Sequence, residues 1–138
     1  MTLKDILDEN PTLTVEGFQR LQGEYDRRFV RDTFTGFDKV RHTYAHMGKL
    51  LGRLAEYVQM IEDGHLDFSP EEIKNKVIPD LLVYSAWLAE EFGVNVERAY
   101  LERFVGNIQR LHPDKISPGE LAELDKYVYD RFDTSRED

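Results

Sequence analysis

The chain has 138 residues, no cysteine and a formal charge of -9. With 41% hydrophobic and 33% charged residues, it fits one globular domain that buries about two-thirds of its unfolded surface. The acidity excludes duplex DNA, RNA and anionic membranes as general partners, and the lack of cysteine excludes disulfides, thiolate metal sites and a thiol nucleophile.

No apolar run is long enough to span a bilayer. Met1-Thr2-Leu3-Lys4-Asp5 lacks the basic-then-apolar pattern of an export signal, so a cytoplasmic protein is expected. Residues 1–13 read as a short leader, with Asn10-Pro11 as a breaker. Thr14 suits the N-cap of a first helix reaching about Phe34, and Thr35-Gly36 breaks the chain. A long second helix is predicted from Phe37 to Asp63, with Gly64 just past its end. Its apolar residues Phe37, Val40, Tyr44, Met47, Leu51, Leu54, Val58 and Ile61 alternate three and four apart, a heptad seam for helix packing.

Ser69-Pro70-Glu71-Glu72 opens a third helix with Ser at the N-cap, Pro at the first position and Glu at the third. This helix runs to Phe92 and ends at Gly93. Pro79 removes one donor inside it and predicts a kink or a split. Asn95 caps a fourth helix, Val96 to Leu111, stopped by His112-Pro113. Ser117-Pro118-Gly119-Glu120 opens a last helix to about Phe132. No strand alternation, repeat or low-complexity segment appears, so the fold class is all-α: a four-helix core with one extra C-terminal helix.

Asp80 is the one acid in the apolar run from Val77 to Ala89. An ionised carboxylate there is costly unless a cation, a metal or several donors meet it, so Asp80 marks a site or a structural ion pair. On the second helix His42, His46, Lys49, Arg53 and Glu56 share a polar face, either solvated or lining a pocket shared with another helix or subunit. On the fourth, Arg103, Asn107 and Arg110 form a stripe whose guanidiniums and amide suit phosphate oxygens. His42 and His46, four apart, have the spacing of helical zinc ligands. They lack the Glu of a His-Glu-x-x-His motif and an evident third ligand, so no metal is expected there; with Asp80 they are the candidates if one binds.

Lys49-Leu50-Leu51-Gly52-Arg53-Leu54-Ala55-Glu56 is similar to a Glu-Glu-x-Gly-Glu-Leu-x-Glu stretch. The segment from Asp80 to Ala89 looks like an Asp-Val-Leu-x-Tyr helix. Gly93-Val94-Asn95-Val96-Glu97-Arg98-Ala99, followed by Arg103, Asn107 and Arg110, looks like a Gly-(Ile/Val)-Asp-x-Glu-x-Ala turn and its Lys-x-x-x-Asn-x-x-Arg sequel. Together, over about Phe18 to Leu111, these segments resemble the MazG-type all-α nucleoside triphosphate pyrophosphohydrolases. The resemblance implies a MazG-like four-helix bundle over 14–112, with a C-terminal helix and frayed tail over 113–138. It also implies a homo-oligomer, dimer or tetramer.

Members of that family hold magnesium with a Glu-x-x-Glu pair on one helix and a Glu-x-x-Asp pair on the next, as a hard cation requires. In this chain the first pair falls on Leu50 and Arg53, and the second on Val77 and Asp80. Lys49 replaces a further acid. Three of the four acids are gone, so metal-dependent hydrolysis is expected to fail and no cofactor is expected. A register that uses Glu56, Glu62, Asp63, Glu71 and Glu72 instead would displace the Gly52-x-Leu54-Ala55 match.

The expected protein is then a MazG-like pseudoenzyme that binds a nucleotide or other phosphate ligand through Lys49, Arg53, Asp80, Arg103, Asn107 and Arg110. Asp80 would pair with Arg53, and with Arg103 as a further partner. No residue is assigned a catalytic role. Two alternatives stay open. One is an active pyrophosphohydrolase that uses magnesium at an atypical site and recruits His42 or His46. The other is a helical assembly module with no ligand.

Overall fold

The structure is a computed structural model and describes residues 2–30 and 35–133. It is all-helical among the described residues: α1 (Leu3–Glu9), α2 (Val15–Phe29), α3 (Gly36–Glu62), a π turn (Ile73–Val77) leading into α4 (Ile78–Glu91), α5 (Val96–Leu111) and α6 (Pro118–Phe132). Among those residues no helix is long and apolar enough to cross a membrane.

The helix ends follow local chemistry. Thr14 accepts from the Gly17 amide, Asn95 from Arg98 and Ser117 from Glu120, each satisfying an orphan donor of a first turn. Gly64 (φ 90°) and Gly93 (φ 66°) close α3 and α4. After α4 the Gly93 amide reaches the Glu90 carbonyl and the Val94 amide reaches that of Ala89; after α3, Gly64 and His65 repeat the pattern on Ile61 and Met60. These are Schellman ends, and they need a left-handed residue at the glycine position. The expected continuation of α2 to Phe34 lies partly outside the described residues; within them α2 ends at Phe29.

Residues 1–13, expected as a leader, contain α1. Thr2 and Asp5 form a reciprocal capping box, and Ile6 is 2% exposed. The Asn10 side chain donates back to the Ile6 carbonyl at 2.7 Å and sits so close to Gly17 that a Cβ there would lie 2.7 Å from Asn10 Oδ1.

Pro79 does not end the third predicted helix. Helical structure runs from Glu71 to Glu91, and Ile73–Val77 widen into one π turn, with the Ile78 amide bonded to the Ile73 carbonyl. The wider turn opens the backbone where a proline ring would press on the preceding turn and where its missing N–H leaves the ladder incomplete. Ser69 Oγ accepts from the Glu71 amide, while the Glu72 carboxylate reaches Arg53.

The chain forms two compact units, Met1–Val94 and Asn95–Asp138. Within the second unit α5 packs on α6. Arg98 pairs with Asp133 at 2.8 Å and Arg131 with Glu97 at 2.9 Å, and Gln109 donates to Asp125. In the first unit α1 packs on α2, α2 on α4, and α3 on both the π turn and α4. Its core is Ile6, Leu50, Val77, Ala86, Trp87 and Ala89.

The face that α3 packs is not its heptad seam. Phe37, Tyr44, Leu51, Leu54 and Val58 are all exposed, whereas Lys39, Thr43 and Leu50 are buried. The packed face is mixed in polarity, but its polar groups are satisfied inside the unit. The Thr43 hydroxyl donates to the Lys39 carbonyl at 2.8 Å, and Lys39 meets two carboxylates. Polar groups with partners lose little on burial, so α4 covers this side and the apolar side stays outward.

Candidate functional site

Lys49, Arg53 and Asp80 belong to the first unit, and Arg103, Asn107 and Arg110 to the second. Lys49, Arg103 and Arg110 are exposed and form no ion pair among the described residues. Arg110 Nη2 donates to Asn107 Oδ1 at 3.2 Å.

The expected Asp80–Arg53 ion pair is not formed. Arg53 turns Nε to Glu72 at 3.4 Å and Nη1 to Glu56 at 3.9 Å. Asp80 is half-buried rather than buried and has no ion-pair partner among the described residues. Exposure explains both facts. Glu56 and Glu72 are about half exposed and let the guanidinium keep its water. A carboxylate that keeps part of its own hydration needs no counter-ion. Burial, and then the Asp80 charge, push the Tyr84 phenol above its ordinary range.

Leu50, at the first position where the resembled family carries a metal-binding acid, is 5% exposed, and Val77 is 1% exposed. His42 and His46 lie side by side on α3 and face two aromatic rings of α4. Their rings lie 4.3 Å apart, His42 stacks on Trp87 at 5.9 Å and His46 on Tyr84 at 5.3 Å. Burial, then the neighbouring His46, hold the His42 imidazole below its ordinary range. Among the described residues no three His, Asp or Glu side chains come together as a metal-binding group.

The first unit does assemble a charged constellation. Asp26 on α2, Lys39 on α3 and Glu90 on α4 meet at one junction: Lys39 Nζ lies 3.8 Å from Asp26 Oδ2 and 3.5 Å from Glu90 Oε2. Gln22 donates to the other Asp26 oxygen at 3.0 Å. Asp26 and Lys39 are 2% and 6% exposed. Lys39 also lies 5.9 Å from the centre of the Trp87 ring, within cation–π range.

Asp26 Oδ2 and Trp87 Nε1 are buried with no hydrogen-bond partner. Burial, and then the Glu90 carboxylate, push the Asp26 carboxyl up to about 6 against the pull of Gln22 and Lys39. Asp26, Lys39, Glu90 and Glu91 line a cavity of about 260 Å³ whose rim includes Thr35 and Gly36. Among the described lining residues, Asp26, Glu90 and Glu91 outnumber Lys39, a balance that favours donors and cations over phosphate.

Sequence reasoning passes over Asp26, Lys39, Glu90 and Trp87. One signal was available: Lys39, Thr43, His46 and Leu50 are spaced four, three and four, so they share a face as regularly as the apolar seam does.

Compared with known protein families, curated proteins and solved structures, the chain has no match.

Proposed function

We propose that the chain is a MazG-like helical protein that does not carry out metal-dependent pyrophosphate hydrolysis and that binds a nucleotide or another phosphate-bearing ligand. The observation that carries this reading is the fate of two positions on α3. Leu50 is packed into the core, and Arg53 holds α3 to Glu72 ahead of the π turn. Both residues have structural work that an acid pair and its metal would displace. Arg103 and Arg110, both on α5, exposed and without ion pairs among the described residues, supply charge for a phosphate ligand.

The test is a thermal-shift screen with nucleoside mono-, di- and triphosphates, with and without magnesium or manganese. A ligand that binds the folded state raises the melting temperature by mass action. We expect a nucleotide to raise it without added metal, and no pyrophosphate to be released. Arg103→Ala combined with Arg110→Ala should abolish the shift while leaving the unliganded melting temperature in place. Pyrophosphate release that requires magnesium would overturn the reading in favour of an active enzyme. No shift with any nucleotide would leave a helical assembly module, the reading that the outward apolar face of α3 favours.

A further inference from the structure

Asp26, Lys39 and Glu90 meet without closing on one another. Lys39 Nζ stands 3.8 Å from Asp26 Oδ2 and 3.5 Å from Glu90 Oε2, whereas a charge-assisted hydrogen bond between such groups spans about 2.7–2.9 Å. Asp26 is 2% exposed, and its Oδ2 has no hydrogen-bond partner among the described residues. A buried carboxylate oxygen without a donor is costly, and one at the wall of a cavity has room to receive a donor from outside.

The wall is that of the 260 Å³ cavity lined by Asp26, Val30, Thr35, Gly36, Lys39, Glu90 and Glu91. Its carboxylates run from the buried Asp26 to Glu90, whose side chain is 43% exposed, and to the exposed Glu91. Lys39 and the N-terminus of α3, which begins at Gly36, offset about one and a half of these three charges. The remaining charge is negative.

We infer that this cavity binds a small organic cation through its N–H donors, an alkylguanidinium or a primary alkylammonium, with the head group donating to Asp26 Oδ2 and Glu90 and with Glu91 facing its charge nearer solvent. The orphan oxygen requires a donor, and the excess of carboxylates requires that the donor be positive. The volume restricts size, since sites for drug-sized molecules begin at about 300 Å³. Val30 offers an alkyl chain an apolar wall. A hard metal ion fits less well because it needs several oxygens converging on one point. Among the described residues no three His, Asp or Glu side chains do so, and the Lys39 ammonium already stands between two of the acids.

The ligand competes with a proton. Burial holds the Asp26 carboxyl up at about 6. The groups facing it are Gln22 from its own helix, Lys39 from α3 and Glu90 from α4. Once protonated, Asp26 loses its charge and its need for a donor. Affinity should therefore fall as pH drops through about 6, and binding near that pH should release a proton.

The site lies within the first unit, whereas the phosphate reading rests on arginines of the second, so the two can fail separately. The test is calorimetric titration of the full chain with butylguanidinium, butylammonium and tetramethylammonium, the last a cation without N–H donors. At least one of the first two should bind with a Kd of about 1 mM or below, and the tighter of them names the head group. Tetramethylammonium should not bind. Buffers of different protonation heat at pH 6 should reveal the released proton.

Asp26→Asn should weaken binding about tenfold or more. Glu91→Gln, at an exposed position that leaves the packing intact, should weaken it about two- to fivefold. Glu123→Gln, exposed on α6, removes the same net charge and should change nothing. No binding by either donor cation, equal binding of tetramethylammonium, or an affinity indifferent to both Asp26→Asn and Glu91→Gln would each overturn the proposal.

Discussion

Lys39 ties three helices of the first unit together. It is nearly buried between Asp26 and Glu90, and its removal leaves a buried carboxylate without a cation. Lys39→Met should therefore cost about 3–5 kcal/mol, read as a fall in the urea midpoint. Asp26 behaves differently because burial raises its carboxyl to about 6, from 3.8 in the unfolded chain. Below about 3.8 the group is protonated in both states. Between that value and about 6 the unfolded chain ionises while the folded one keeps its proton, so each rise in pH through that window favours unfolding. Stability supplied by this group is complete at low pH and lost by about pH 6. Asp26→Asn should remove that slope from a plot of melting temperature against pH; an unchanged slope would assign it elsewhere. None of this was legible locally, since the three members lie on three helices and nothing near Asp26 or Glu90 in sequence marks it as buried. Asp80 misled for the opposite reason: its neighbours in sequence are apolar, yet its own side chain keeps water.

At the scale of the helices, starts and stops were the most legible feature. A cap needs only the few residues around it, and Thr14, Asn95, Ser117, Gly64 and Gly93 all act where the sequence places them. Ser117→Ala should cost about 1 kcal/mol by orphaning the Glu120 amide, seen as faster hydrogen exchange in the first turn of α6. Gly93→Ala should cost about 1–2 kcal/mol, because its left-handed backbone admits a Cβ poorly, and amides near Val94 should exchange faster. The short helix α1 carries its own signal, Thr2 three residues before Asp5, which a reading tuned to long periodic segments passes over. The packed face of α3 was not legible from hydrophobic spacing. Spacing finds apolar faces, and α3 has a packed face whose polar groups are neutralised by other helices. Pro79 announced a disturbance without its form. Whether a proline breaks a helix or is absorbed by a wider turn depends on the packing around it, and here Val77 at the end of that turn is fully buried.

At the scale of the molecule, a helix breaker and a unit boundary proved to be different things. Pro113 stops α5, but the ion pairs of Arg98 and Arg131 bind α5 to α6; the division falls after Val94 instead. Helical class follows from composition and periodicity, whereas the grouping of helices depends on side-chain pairs more than thirty residues apart. That grouping gives Trp87 a use of its own. It is the only tryptophan in the chain and lies in the first unit, against His42 and Lys39; the second unit holds no indole. Its emission therefore follows the melting of α2, α3 and α4, while far-ultraviolet dichroism sums all the helices. Superimposable curves would show one cooperative transition. Divergent curves would time the loss of α5 and α6 separately, using a fluorophore already built into the protein.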